Sequence, residues 1–324
     1  MSAELKGRSL LTLEEFSTGE VEYLVEQALV LKREKAARTF RHHLADRNFC
    51  LIFLKPSTRT RASFFVAASD EGAQVANFDD KDLRFNSKES LEDIARVLGR
   101  MFDGIAFRGF EHHIVEDLAR HAGVPVWNAL SDAHHPTQVL ADLMTLKEEF
   151  GRLAGLKLAY VGDGRNNMGA SLMIAACKVG LDLRIVAPAP LQPKREAVAG
   201  YLEANPHTKA RITVTADVSE GVRDCDAVYG DIWLSMGEEH LAAERIPMLQ
   251  GYKIDDAMLA ATHKPEAIFL HCLPSLHDDT TDFARKFPDV LDTSDELFEG
   301  PRSRVFQQAE NRMHVIKALM IATV

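Results

Sequence analysis

Ser57-Thr58-Arg59-Thr60-Arg61 concentrates hydroxyls and guanidiniums in five consecutive positions. It directly follows an apolar run at 49–54 and opens a stretch of helical character. In a parallel α/β unit that junction lies at the carboxyl edge of the sheet, where free backbone N–H groups and the helix dipole favour an anion. Hydroxyls beside a guanidinium are directional donors and suit a phosphate better than a carboxylate. Taken alone, the same residues also fit a Ser/Thr-rich helix cap with a solvated arginine. Two more strand ends in the same half bear on the choice. Phe107-Arg108-Gly109-Phe110 sets an arginine between a strand and a glycine turn, and His134-His135-Pro136-Thr137-Gln138 sets imidazole and amide groups at the start of a helix. Each has a structural reading of its own, as a paired charge or a cap. Together they converge on one edge, where Arg108, His135 and Gln138 could polarise a carbonyl while the first motif holds an attached phosphate.

The second half offers a different chemistry. Gly162-Asp163-Gly164-Arg165-Asn166-Asn167-Met168-Gly169 follows a strand and precedes a helix. A dinucleotide loop is disfavoured, because the glycines do not form G-x-G-x-x-G and the next strand ends without an acidic residue, at Val186-Ala187-Pro188. Two adjacent amides at a helix start suit an amino-acid carboxylate instead. Asp231-Ile232-Trp233-Leu234-Ser235-Met236-Gly237 presents a carboxylate and a hydroxyl after another strand, for which a surface or capping role is the bland alternative. His271-Cys272-Leu273-Pro274 ends a further strand; a lone cysteine there is most often packing. A cysteine-phosphatase loop is excluded, since the required arginine six residues after Cys272 is Asp278. Adjacent pairs such as His42-His43, His112-His113 and His134-His135 point in different directions along a helix or strand, so no metal is expected, and no cofactor either.

These residues need a scaffold, and the chain of 324 residues, 46% hydrophobic, is long enough for two domains with separate cores. Strands are expected at 49–54, 74–78, 104–107 and 124–127, with helices near 58–71, 90–102 and 111–122. The alternation restarts after Gly155, with strands near 156–161, 182–187, 211–214, 226–230 and 266–270. This is the pattern of an α/β fold with two doubly wound parallel-sheet domains joined by helices. The joining helix is expected at 136–150 and a closing helix at 303–323. Thr12 followed by Glu15 reads as a capping box for an opening amphipathic helix carrying Val21, Leu24, Val25, Ala28 and Leu29, and a loop is expected around 78–89. A net charge of −10 argues against nucleic acid and anionic membranes as partners. Apolar runs are far below the ~20 residues that span a bilayer. No apolar stretch follows Met1 to Arg8, so a cytoplasmic location is expected. The four cysteines, Cys50, Cys177, Cys225 and Cys272, are widely spaced and expected to be reduced.

Ser57 to Arg61, Phe107 to Phe110 and His135 to Gln138, in that order, resemble the carbamoyl-phosphate half of the aspartate/ornithine carbamoyltransferase family, and the resemblance extends over essentially the whole chain. It implies that residues 1–135, completed by 303–324, bind carbamoyl phosphate, that 136–150 link, and that 151–302 bind the amino-acid acceptor. Ser57, Thr58, Arg59, Thr60, Arg108, His135 and Gln138 would hold carbamoyl phosphate. Arg312, in a Glu310-Asn311-Arg312 motif like the family's, would reach it, as would Cys272 and the Leu273 carbonyl. Asn167, Asp231, Ser235 and Met236 would bind ornithine. Arg108, His135, Asp231 and Cys272 would form the catalytic set. Aspartate enzymes need basic side chains for an extra carboxylate, and the absence of arginine and lysine from Asp231 to Gly237 favours a cationic acceptor.

The reaction expected is ordered: carbamoyl phosphate binds, ornithine enters, and its uncharged δ-amine attacks the carbonyl carbon, giving citrulline and phosphate, with loop closure around 234–240 excluding water. Other amines, putrescine or N-acetylornithine, and a silent paralogous subunit are the alternatives. The family also implies a homotrimer or a multiple of it. Three positions depart from the family's usual text: glutamates are replaced by Leu54 and Phe65, and a glutamine by Arg84, in a loop that reaches a neighbouring subunit's phosphate site. The combination resembles inhibitor-insensitive ornithine enzymes, although those differ within Ser-Thr-Arg-Thr itself.

Overall fold

The computed structural model describes residues 2–83, 89–234 and 238–324, so that Arg84, Ser235 and Met236 lie outside the described residues. Two compact units divide the chain: Met1–Met144 with Glu310–Val324, and Thr145–Ala309.

In the first unit, β1 (Asn48–Phe53), β2 (Gln74–Asp79), β3 (Gly104–Arg108) and β4 (Val126–Leu130) form a parallel sheet of order β2-β1-β3-β4. Phe49 to Phe53 are all buried, as expected for a central strand covered on both faces. Helices α1 (Thr18–Ala36), α2 (Arg59–Asp70), α3 (Leu91–Met101) and α4 (His112–Ala122) accompany it. The chain leaves β1 toward β2 and returns on the other side at β3, so the strand order reverses between β1 and β3. That reversal is where an open α/β sheet leaves a crevice at its carboxyl edge.

The expected start of the opening helix is corrected. The cap is Ser17, whose hydroxyl accepts from Glu20 N while the Glu20 carboxylate accepts from Ser17 N. Thr12 cannot begin a helix because the chain just before it runs beside β4: Leu10 N donates to the Val126 carbonyl and Asn128 N to the Leu10 carbonyl. Within the loop expected around 78–89, β2 runs to Asp79 and Asp80–Leu83 makes one helical turn, while 84–88 lie outside the described residues.

In the second unit, β5 (Lys157–Val161), β6 (Asp182–Val186), β7 (Arg211–Thr215), β8 (Ala227–Gly230) and β9 (Ile268–His271) pair in parallel as β7-β6-β5-β8-β9. The order reverses between β5 and β8. Helix α6 (Asn167–Val179) is buried from Met168 to Gly169 and from Ser171 to Val179, which its small and apolar sequence permits. Two helices run across the division of the chain: α5 (Pro136–Phe150) passes from the first unit into the second, and α7 (Val305–Thr323) from the second into the first. Among the described residues no helix is long and apolar enough to cross a membrane. All four cysteines are buried, and none is in a disulfide.

Candidate functional site

At the crevice of the first sheet, Ser57 and Thr58 lie between β1 and α2, and Arg108 is the last residue of β3. The register between β3 and β4 shifts at Phe107/Arg108, an irregularity of the kind that re-aims a side chain. Gly109 must be glycine: a Cβ there would meet the Phe107 ring at 2.4 Å. Arg108 Nη1 donates to Ser57 Oγ at 3.2 Å. Thr60, buried, accepts from Arg312 Nη1 at 2.9 Å. Arg312 Nη2 donates to Gln138 Oε1, and Gln138 Nε2 donates to Asp142 Oδ1 at 2.7 Å, which fixes the amide's orientation. His135 Nδ1 lies 3.5 Å from Thr137 Oγ1. The helix-cap reading fails at Thr58, which is exposed, adopts a helical backbone and makes no side-chain cap bond. The hydroxyls of Ser57 and Thr60 instead solvate arginines.

Burial pushes the Arg108 guanidinium down to about 10, and the positive charges of Arg312 and Arg59 push it the same way. Burial, then Arg312, Arg108 and Arg59, hold the His135 imidazole well below its usual range. At neutral pH the arginines stay charged and His135 stays neutral. Three guanidiniums gathered at a helix start, with neutral hydrogen-bonding groups between them, make a centre that a polyanion would stabilise.

At the crevice of the second sheet, β5 ends in the turn Gly162–Asn166. Asn166 caps α6: its Oδ1 accepts from Gly169 N at 2.8 Å. Gly169 allows this tight turn, since a Cβ would come within 2.6 Å of the Gly164 carbonyl. Asp231 follows β8 and is buried. Its Oδ1 accepts from Cys272 Sγ at 2.9 Å and Ile232 N at 2.8 Å, and its Oδ2 from Asn166 Nδ2 at 2.7 Å and the Tyr160 hydroxyl at 3.1 Å. Burial raises the Asp231 carboxyl above the usual range, opposed by His271 and these donors. Next to Cys272, Leu273 has φ 59° and precedes a cis Leu273–Pro274 peptide; Leu273 N donates to His271 Nδ1 at 2.9 Å. His271 Nε2 lies 3.3 Å from Asp292 Oδ1, without the alignment of a hydrogen bond.

The structure thus joins Ser57 with Arg108, Thr60 with Arg312 and Gln138, and Asp231 with Cys272. Asn167 is the first residue of α6, and the residue just before it donates through its amide to Asp231. That residue is Asn166, and sequence reasoning missed it together with Tyr160 and His271. The signals were available: the first residue of an Asn-Asn pair before an apolar run is the natural cap, and a tyrosine inside a buried strand needs a hydroxyl partner. Of the departures, Leu54 packs against the core behind β1 and β3, and Phe65 is 49% exposed on α2.

Two doubly wound sheets, one with an arginine-rich anion centre and one with a buried carboxylate and thiol, define a two-domain group-transfer architecture, and comparison with known proteins identifies it. Residues 8–148 match the aspartate/ornithine carbamoyltransferase carbamoyl-P binding domain and 154–323 the Asp/Orn binding domain. The chain belongs to the aspartate/ornithine carbamoyltransferase family. It is 54% identical over 320 residues, 99% of this chain and 98% of the relative, to ornithine carbamoyltransferase 2, phaseolotoxin-insensitive, of Pseudomonas syringae pv. actinidiae. A catabolic ornithine carbamoyltransferase of Staphylococcus aureus (strain N315) is 47% identical over 325 residues, 99% of this chain and 97% of the relative. The ornithine carbamoyltransferase structure from Pyrococcus furiosus superposes with a TM-score of 0.91 at 35% identity, covering 98% of this chain and 97% of that one.

Proposed function

We propose that this protein transfers the carbamoyl group of carbamoyl phosphate to the δ-amine of L-ornithine, giving L-citrulline and phosphate. The observation that carries the reading is the cluster of Arg59, Arg108 and Arg312 with Ser57 and Thr60, where burial, and then the like charges of Arg312 and Arg59, depress the Arg108 guanidinium to about 10. Residues 1–135 with 303–324 would hold carbamoyl phosphate, 151–302 ornithine, and 136–150 would join them. Ser57, Thr58, Arg59 and Thr60 bind the phosphate, with Arg312 bracing Thr60 and Gln138. Arg108, Thr60 and neutral His135 donate to the carbonyl oxygen as it gains negative charge. The amine lone pair attacks the carbonyl carbon, the carbon–oxygen bond to phosphate breaks, and phosphate leaves with the electron pair while the amine sheds a proton. No acyl-enzyme is needed. Asp231 and Cys272 orient the acceptor amine; Asn167 takes its α-carboxylate. Ser235 and Met236 are assigned to the acceptor by family resemblance, as are Leu273 and Cys272 to the carbamoyl amide. Asp231 favours a cationic acceptor over aspartate.

The direct test is citrulline production by the purified chain, in both directions, with ornithine, putrescine and N-acetylornithine compared. Unchanged activity of Arg108→Ala would overturn the site assignment, and lack of ornithine turnover by the wild type would overturn the reaction. The resemblance also supports a cytoplasmic homotrimer or a multiple of it, checked by light scattering.

The Pseudomonas syringae relative's name favours a second reading, reduced sensitivity to an inhibitor of ornithine carbamoyl transfer. Leu54, Phe65 and Arg84 are the positions assigned to it. Restored inhibition by a bisubstrate phosphonate in Arg84→Gln supports that assignment, and unaltered inhibition removes Arg84 from it.

A further inference from the structure

Gln138 and Asp142 lie one turn apart on α5, and both are fully buried. The Gln138 amide is held at both ends: Arg312 Nη2 donates to Oε1, and Nε2 donates to Asp142 Oδ1 at 2.7 Å. Neither neighbour tolerates the reversed amide. A guanidinium has only donors and must face the oxygen, and a carboxylate has only acceptors and must face the nitrogen. The orientation therefore follows from the chemistry of the two partners together.

The same guanidinium reaches Thr60 Oγ1 through Nη1 at 2.9 Å. Oε1 is thus the end of the amide on the side of the phosphate motif, and Nε2 is turned along α5 toward Asp142. A glutamine that polarises a carbonyl must turn Nε2 forward; these bonds set the opposite polarity. A carbonyl oxygen has two lone pairs, so Oε1 accepts from Arg312 with one and offers the other to an N–H. Arg108 and neutral His135, in the same centre, supply donors. A group that brings a carbonyl to those donors and an N–H to Oε1 is a carbamoyl group. An acetyl group brings the carbonyl alone.

We infer that Asp142 is a positioning residue that sets the choice of donor: by engaging Nε2 it keeps Gln138 Oε1 toward the phosphate motif, and so selects an acyl phosphate that carries an N–H over one that lacks it. This rests on the reading that the arginine centre binds carbamoyl phosphate. Selection follows because a buried group built to accept a hydrogen bond is left without it when a methyl takes the place of the amide. Without Asp142 the amide is held by Arg312 alone. Its buried Nε2 has then lost this acceptor, and the side chain tilts to recover one, taking Oε1 with it.

Asp142→Leu fills the buried position without an acceptor, whereas Asp142→Asn keeps the shape and can accept from Nε2 through its own carbonyl. The test measures KM for carbamoyl phosphate in citrulline synthesis at saturating ornithine, with the competitive inhibition constants of acetyl phosphate and inorganic phosphate, in wild type and both variants. Acetyl phosphate shares the phosphate and the carbonyl and carries a methyl in place of the amide. Loss of the fixed acceptor predicts a carbamoyl-phosphate KM raised about tenfold in Asp142→Leu, with both inhibition constants unchanged. Asp142→Asn, with a neutral bond in place of a charge-assisted one, should fall between, at about threefold. Equal weakening of all three ligands, or no change in any, would overturn the inference while leaving the carbamoyl-transfer reading intact. A wild type that forms no citrulline would instead overturn that reading. If Asp142→Leu shows no cooperative thermal unfolding, Asp142→Asn decides: a rise confined to carbamoyl phosphate upholds the inference, and a rise shared by all three ligands or absent from all removes it.

Discussion

Replacing Arg108 by glutamine should leave the ligand-free protein at least as stable as wild type while removing its response to phosphate. The fall of the guanidinium from its usual value to about 10 corresponds to about 3 kcal/mol of unfavourable environment at ~1.4 kcal/mol per tenfold change in proton affinity. Arg108 is only half-buried, so solvent screening reduces this to about 1–2 kcal/mol. Against that gain stands the lost bond to Ser57, about 1 kcal/mol, which the glutamine amide can in part replace. The penalty does not show in a pH titration of stability. A base depressed on folding regains stability only as pH rises through its folded value, here about 10, and at every lower pH the guanidinium is charged.

The assay is calorimetric unfolding at pH 7 with and without inorganic phosphate. Phosphate at a hundredfold excess over Kd stabilises by about 2.7 kcal/mol, or roughly 2–4 °C per kcal/mol for units of this size. Wild type should show that rise. Arg108→Gln should unfold at an unchanged or higher temperature without phosphate and gain little with it. A variant that loses several degrees yet keeps the full phosphate response would refute the argument, because Arg108 would then be a structural cation and the anion would be held elsewhere.

Cys272→Ser, which exchanges the 2.9 Å thiol donor on Asp231 for a shorter-reaching hydroxyl, should lower kcat/KM for ornithine about tenfold; a steady-state value equal to wild type would remove Cys272 from the acceptor centre. His134 is pushed down to about 4 by burial, with His112 adding to the effect. Between 6.5 and 4 the unfolded chain therefore binds a proton that the folded chain refuses, and stability falls with pH across that window by at most about 3 kcal/mol from this residue. Urea unfolding at pH 4.5 and 7 should show a smaller difference for His134→Gln than for wild type. Ser17→Ala should destabilise by about 1 kcal/mol through loss of the α1 cap, with Thr12→Ala costing less in the same urea series.

The parallel strands were legible because burial on both faces writes β1, β5 and β8 as short apolar runs, and the gathering of hydroxyls and guanidiniums at 57–61 was legible because its residues are contiguous. The start of α1 was not. Thr12-x-x-Glu15 and Ser17-x-x-Glu20 both satisfy the capping pattern, and the choice is made by Leu10 pairing with β4, more than a hundred residues away. Contacts of that range leave no local signature. The bond of Asn166 to Asp231 was hidden for the same reason: two adjacent amides sit at the helix start, and only the turn geometry, with Gly169 N reaching Oδ1, assigns one of them to the cap. Arg312 was legible by motif alone, since nothing local in α7 announces a bond to Thr60.

The two centres share a physical logic that bears on which ligands they accept. In the first unit the acceptors met by Arg108 and Arg312 at Ser57, Thr60 and Gln138 are hydroxyls and a carboxamide. In the second, the donors on Asp231 are a thiol, a backbone N–H, a carboxamide and a phenol. Neutral partners solvate a buried charge without cancelling it, so each centre retains its sign for a ligand of the opposite one. Carboxylate partners for the first centre, or a lysine on Asp231, would stabilise the empty protein and weaken the attraction for ligand. Buried charges held by neutral dipoles are therefore the feature that suits the two centres to the anionic carbamoyl donor and the cationic amine acceptor proposed for them.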